Sequence, residues 1–141
     1  ATRLPFADET FDAVAALYML YHFDSPTVPM REALRVLKPG GLFVCCAPSR
    51  HNWPELVPFL PPQPIDPFDS ENGPAQIEAV FGNVRTEPWD MRVYRLPDED
   101  AVWTHLVARQ VPDEDARTAA RQVKTPLWVR AKGAVMWASR E

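Results

Sequence analysis

Glu32-Ala33-Leu34-Arg35-Val36-Leu37-Lys38-Pro39-Gly40-Gly41-Leu42-Phe43-Val44-Cys45-Cys46-Ala47 is the stretch that decides the fold. With Met30 before it, the first part places Met30, Ala33, Leu34 and Leu37 at helical spacing. Leu42 to Ala47 is then a short continuous apolar run, the pattern of a strand buried on both faces. Pro39-Gly40-Gly41 lies between them and is expected to stop the helix, with glycine supplying a left-handed residue after it. Upstream, Asp24-Ser25-Pro26 reads as the helix start, with Ser25 as cap and Pro26 at the first helical position. Further upstream, Phe11 to Tyr18 is a second apolar run of strand length. Strand, helix and strand make one right-handed crossover unit of an α/β protein.

Downstream the pattern changes. From Pro48 to Gly73, prolines 54, 58, 61, 62, 64 and 67 exclude long regular structure. This proline-rich loop, about 48–73, also carries His51, Trp53, Phe59 and Phe68; a loop so long is a lid, a binding loop or disordered, and its aromatic residues argue against simple disorder. Pro74 to Phe81 reads as a short helix closed by Gly82. Val84 to Leu96 reads as a strand with Trp89, Met91 and Val93 on one face, broken or bulged at Pro88. Asp98 caps a helix with a buried stripe of Val102, Trp103, Leu106 and Val107. Asp113 to Lys124 is a weaker helix carried by alanines. Leu127 to Ala138 closes as a strand interrupted at Lys132-Gly133.

The 141 residues carry Lys+Arg 15 against Asp+Glu 19, a formal net charge of −4. An acidic balance without basic stripes disfavours nucleic acid and anionic membrane as partners. No apolar run reaches the length of a membrane span. The opening residues do not read as a signal peptide, so a cytoplasmic location is expected. Cys45 and Cys46 are adjacent, too close for an unstrained bridge, and read as small buried strand residues. No phosphate-cradling glycine loop or nucleophile elbow occurs, and His22, His51 and His105 lack metal-ligand spacing, so no metal site is expected. The acidic clusters at Asp98–Asp100 and Asp113–Asp115 suit helix starts.

What remains is an ordered set of phrases: Leu4-Pro5-Phe6, then Phe11-Asp12-Ala13-Val14, then Leu20-Tyr21-His22-Phe23, then Arg35-Val36-Leu37-Lys38-Pro39-Gly40-Gly41. In this order they resemble the second half of class I S-adenosylmethionine-dependent methyltransferases, with Tyr21 where the family often has the first histidine of a pair. The closing Lys132-Gly133-Ala134-Val135-Met136-Trp137-Ala138 resembles the family's seventh strand. The resemblance implies that residues 1–141 form the C-terminal half of a methyltransferase domain. It implies an incomplete Rossmann-like sheet of strands four to seven, in the order 4-5-7-6 with the last strand antiparallel. Strands one to three, with the glycine-rich turn, would then lie upstream of Ala1.

The resemblance also places the site. In open parallel sheets, ligands bind beyond the carboxyl ends of strands. The resemblance implies S-adenosylmethionine against Ala1 and Thr2, before Leu-Pro-Phe, and against Ala16, Leu17, Tyr18 and His22 at and beyond the end of the fourth strand. His22 is a candidate general base, since imidazole titrates near neutrality; the alternative is a histidine that packs under the cofactor or caps a helix. Tyr21, His51 and Trp53 are candidates for the pocket of a small-molecule acceptor; for His51 and Trp53 an interface or ordered loop is the other reading. Methyl transfer needs no protein nucleophile, because position and orientation supply most of the rate. A buried strand without its neighbour leaves an open edge. Either two copies join or exchange elements through that edge, as a homodimer, or the 141 residues are a fragment of a longer protein; the alternative to methyl transfer is a non-catalytic module that pairs there with another subunit. The chain alone is expected to be inactive and to bind S-adenosylmethionine weakly or undetectably.

Overall fold

The computed structural model describes residues 3–62, 64 and 66–141. The chain divides into two compact units: residues 1–50, 65–89 and 133–141 form the first, and residues 51–64 and 90–132 the second. The elements run β1 (Phe11–Leu17), α1 (Thr27–Val36), β2 (Leu37–Pro48), α2 (Gly73–Phe81), β3 (Arg85–Leu96), α3 (Glu99–Val107), α4 (Asp113–Gln122) and β4 (Leu127–Ser139). The sheet order is β1-β2-β4-β3. β1 and β2 are parallel, joined through α1, and β4 runs antiparallel to β2. Both the order and the antiparallel last strand are those the resemblance implied.

In the first unit, α1 presents Pro29, Met30, Ala33 and Val36 inward at intervals of one turn. Met30 and Ala33 pack with Leu37, Phe43, Cys45 and Ala47 of β2, Ile77 and Phe81 of α2, and Met136 and Ala138 of β4. Phe43 and Phe81 stack with ring centroids 4.8 Å apart. α2 ends as expected on Gly82, whose φ of 77° is the left-handed cap that glycine adopts without strain.

Four local expectations change. α1 starts at Thr27 after Pro26, and Ser25 makes no capping bond; its hydroxyl meets that of Thr27 instead. The helix stops at Val36, before the prolyl-glycyl turn, and β2 runs straight through Pro39-Gly40-Gly41. The glycines accommodate an irregularity: Phe11 pairs with Leu37, yet Ala13 pairs with Leu42. Gly40 takes φ 78° there, and hydrogen bonds with Arg140 pin the turn, Gly40 N to Arg140 O and Arg140 N to Gly41 O. β4 is not interrupted at Lys132-Gly133. Gly133 is required for close approach, since a Cβ there would fall 2.5 Å from the Ala47 carbonyl oxygen and 2.4 Å from the Trp89 ring. Finally, β1 is not buried on both faces: only Ala16 is fully covered, and Leu17 is 58% exposed. The cause is its place at the end of the sheet, with no outer neighbour among the described residues.

The second unit has its own core of Leu56, Leu96, Val102, Leu106, Val111, Ala116, Ala119, Ala120 and Val129. Asp98 caps α3 as expected, its Oδ1 accepting from the Ala101 amide at 2.9 Å. The buried stripe of α3 is narrower than expected: Val102 and Leu106 are buried, Trp103 is half-buried and Val107 is exposed. Met91 and Val93 of β3 are also exposed, whereas Tyr94 is half-buried and Leu96 buried. β3 is the other end of the sheet, which lets it pass through Pro88 without losing its strand character. Of the proline-rich loop, residues 51–64 belong to this unit and include the 3-10 turn Val57–Phe59. No helix among the described residues is long and apolar enough to cross a membrane.

Candidate functional site

β1 and β2 run in the same direction, so their carboxyl ends lie side by side. Ala16 pairs with Cys45, Leu17 with Cys46, and the Tyr18 amide still donates to the Cys46 carbonyl at 3.0 Å. At Tyr18 the chain leaves the sheet with φ 51°. A tyrosine pays for that left-handed conformation, and such strain concentrates where a backbone is shaped for a ligand. Tyr18 is 48% exposed. Its phenol is raised to about 12, first by a side-chain hydrogen bond to Cys46 and then by burial. It therefore stays protonated at neutral pH and can only donate or accept a hydrogen bond, not act as a base.

Beyond Tyr18 a 3-10 turn, Leu20–His22, folds over the strand end, anchored by buried Leu20. The rings of Tyr21 and His22 contact each other at 4.5 Å between centroids. His22 is exposed and Tyr21 half-buried. Leu17, Tyr18, Tyr21 and His22 thus all lie at or just beyond the carboxyl end of β1. Ala16 turns its side chain into the core. Ala1 and Thr2 lie outside the described residues. His51 and Trp53 belong to the second unit. Next door in β2, Cys45 is buried and its thiol is pushed up to about 12 by burial, so it is inert, as a packed strand residue should be.

The lead-in before β1 is held by a clamp that the phrase order alone does not reveal. Arg35 donates to Glu32, to Asp8 at 2.7 Å, and to the carbonyls of Leu4 and Phe6. Glu32 also accepts from the Leu4 amide at 2.9 Å. Arg35 and the Leu4 amide hold the Glu32 carboxyl far below its usual range, at about 2. The arginine of the Arg-Val-Leu-Lys-Pro-Gly-Gly phrase is thus what fixes the Leu-Pro-Phe phrase.

With this geometry in hand, known proteins supply the family. Residues 1–45 match the family described as "Methyltransferase domain". The demethylmenaquinone methyltransferase of Corynebacterium kroppenstedtii is 46% identical over 132 residues, covering 89% of this chain and 46% of that protein. The chain belongs to the class I S-adenosylmethionine-dependent methyltransferase family. The demethylmenaquinone methyltransferase of Clavibacter sepedonicus is 32% identical over 114 residues, covering 77% of this chain and 42% of that protein. The chain therefore spans less than half the length of these curated relatives. Among solved structures, the YcgJ protein of Bacillus subtilis shares the fold with a TM-score of 0.64 at 17% identity, covering 99% of this chain and 68% of that one. The methyltransferase family implies S-adenosylmethionine as its cofactor.

The sequence reading missed one polar cluster in the second unit. Tyr94, His105 and Arg109 gather there with Trp53, from three separated segments. Only Trp53 carried a signal, as an aromatic residue in the proline-rich loop.

Proposed function

We propose that this chain takes part in methyl transfer from S-adenosylmethionine to a carbon of a quinone-type ring in its reduced, hydroxylated form. The single observation that carries the site is the strained Tyr18 at the shared carboxyl end of β1 and β2. The acceptor class is drawn from relatives whose names specify demethylmenaquinone and quinone C-methylation. On this reading β1, β2, β3 and β4 are the fourth, fifth, sixth and seventh strands of the family's sheet. The outer edge of β1 is then where further strands of the domain join.

The residues at hand fit such a cofactor. Leu17 offers an exposed apolar surface for a planar base, and the left-handed turn at Tyr18 leaves the backbone open to close approach. The family resemblance assigns Ala1 and Thr2 to the same cofactor. When bound, the cofactor supplies a methyl group on a sulfonium, already activated for transfer. His22 takes the proton that the ring carbon releases as the new carbon–carbon bond forms. Tyr21, packed on His22, orients its imidazole. Tyr18, kept neutral, donates a hydrogen bond without competing for the methyl group.

The test is transfer of isotopically labelled methyl from S-adenosylmethionine to demethylmenaquinol by the polypeptide that carries this sequence. The expected product bears the label on ring carbon. His22→Asn is expected to lower kcat by about 10²–10⁴-fold, the usual worth of a general base. An unchanged kcat with a raised KM would assign His22 a packing role instead. Pairing of two copies of the chain through the edge of β1 is the competing arrangement, and a monodisperse monomer at micromolar concentration in sedimentation would exclude it.

A further inference from the structure

We infer that Arg109, Tyr94 and His105, walled by Trp53, form a binding site in the second unit for an aromatic ligand bearing an oxyanion, a phenolate or carboxylate on a planar ring. The guanidinium of Arg109 lies over the Trp53 ring, 3.8 Å from its centroid. Its Nε is fully buried and has no hydrogen-bond partner. No side-chain hydrogen bond or ion pair to Arg109 occurs among the described residues. A buried donor left unpaired costs stability, and a charged one costs more, so its retention calls for an acceptor that arrives from outside. A guanidinium is a planar fork suited to an oxyanion, and its stacking on indole holds that fork in one plane.

The neighbouring pair completes the site. Tyr94 Oη and His105 Nε2 are 2.8 Å apart, with ring centroids at 5.0 Å. Burial, followed by the Arg109 charge, lowers His105 to about 4, so at neutral pH the imidazole is uncharged. With the imidazole proton on Nε2, His105 donates to Tyr94 Oη, which frees the phenol O–H to donate, beside Arg109, to the ligand's charge. Glu55 is the nearby carboxylate acting on Tyr94. Its Oε2 is engaged by the Arg130 amide at 3.2 Å, so it is tied to β4 and forms no ion pair with Arg109. Three ring side chains around one uncompensated guanidinium select a planar acid over an aliphatic one.

The inference deepens the methyltransferase reading, since a hydroxylated ring ionises to this ligand class, but its test uses no methyl donor. Loss of methyl transfer and loss of this site are therefore separable. The experiment titrates the protein with 2-naphthoate, with acetate as the aliphatic control, by calorimetry and by the arginine Nε–H resonances. Saturable binding of 2-naphthoate at millimolar concentration or below is expected, with a shift of the Arg109 Nε–H. Acetate should bind at least about tenfold more weakly, the loss of the stacking contribution. Arg109→Gln should weaken 2-naphthoate by about tenfold or more, and Arg109→Lys similarly, because it keeps the charge but loses the fork. Absence of saturable 2-naphthoate binding, an unmoved Arg109 Nε–H, or equal affinity in Arg109→Gln overturns the inference. Equal affinity for acetate overturns its aromatic part. Should Arg109→Gln not fold, the Nε–H shift in the unsubstituted protein still decides.

Discussion

Replacing Gly133 by alanine sets two opposing effects against each other, and the geometry decides which wins. The added Cβ would sit 2.4 Å from Trp89 Cζ2 and 2.5 Å from the Ala47 carbonyl oxygen. The indole can yield, but the carbonyl belongs to β2 at the point where Ala47 pairs with Ala134 and Pro48 with Gly133. Relief therefore requires β2 and β4 to separate locally. Overpacking of this kind costs about 1–3 kcal/mol. Alanine also reduces the freedom of the unfolded chain, which returns about 0.4–1 kcal/mol. Subtracting the two gives roughly 0–2.6 kcal/mol, and a 2.5 Å approach to a backbone oxygen puts the net in the upper half, about 1.3–2.6 kcal/mol. At about 3–4 °C per kcal/mol for a chain of this size, thermal melting should shift down by roughly 4–10 °C. Trp89→Ala supplies the internal check: in that background the indole clash is gone, and the Gly133→Ala penalty should shrink but not vanish. Circular dichroism melts of the four proteins give the comparison. An unchanged or higher melting temperature for Gly133→Ala refutes the close-approach argument, because only the unfolded-state effect would then remain.

Other substitutions and conditions probe the rest of the structure. Phe43→Ala, which empties the fully buried position stacked on Phe81, should cost about 3–5 kcal/mol by denaturant titration. Arg35→Ala should speed hydrogen exchange at the Leu4 amide, since the Glu32 carboxylate that accepts it loses its anchor. Glu32 is held at about 2, below the ordinary 4.5 of a glutamate. Its contribution is therefore present above pH 4.5 and lost as pH falls toward 2, so the lead-in should loosen across that window in wild type and not in Glu32→Gln. His105 is lowered from 6.5 to about 4, so between those values the unfolded chain binds a proton that the folded one does not. Stability should fall as pH drops through that range, and His105→Phe should flatten the fall in pH-dependent melts.

The crossover of β1, α1 and β2 was readable because its apolar residues follow the period of each element without interruption. Helix α2, the Asp98 cap and the sheet order were readable for similar reasons, the last through the resemblance. Burial of β1 was misread because an apolar run reports only that a strand avoids water, not whether a neighbour covers it. Pro39-Gly40-Gly41 was read as a helix stop when its glycines instead absorb a register shift inside β2. That distinction depends on which residue of β1 pairs with which of β2, and local sequence does not encode it. At the site, Tyr18 and His22 were legible by position after the strand. The clamp of Arg35 on the lead-in was not, since its partners lie up to 31 residues away. The cluster of Tyr94, His105 and Arg109 with Trp53 was invisible for the same reason: helix, strand and loop bring it together only when folded.

The most direct test of the central claim is a nuclear magnetic resonance titration of the isotopically labelled chain with S-adenosylmethionine, carried into the millimolar range so that weak binding is captured. The account predicts amide shifts concentrated at Ala16, Leu17, Tyr18 and His22, at the carboxyl end of β1. Shifts absent from these residues, or confined to another part of the chain, would contradict it.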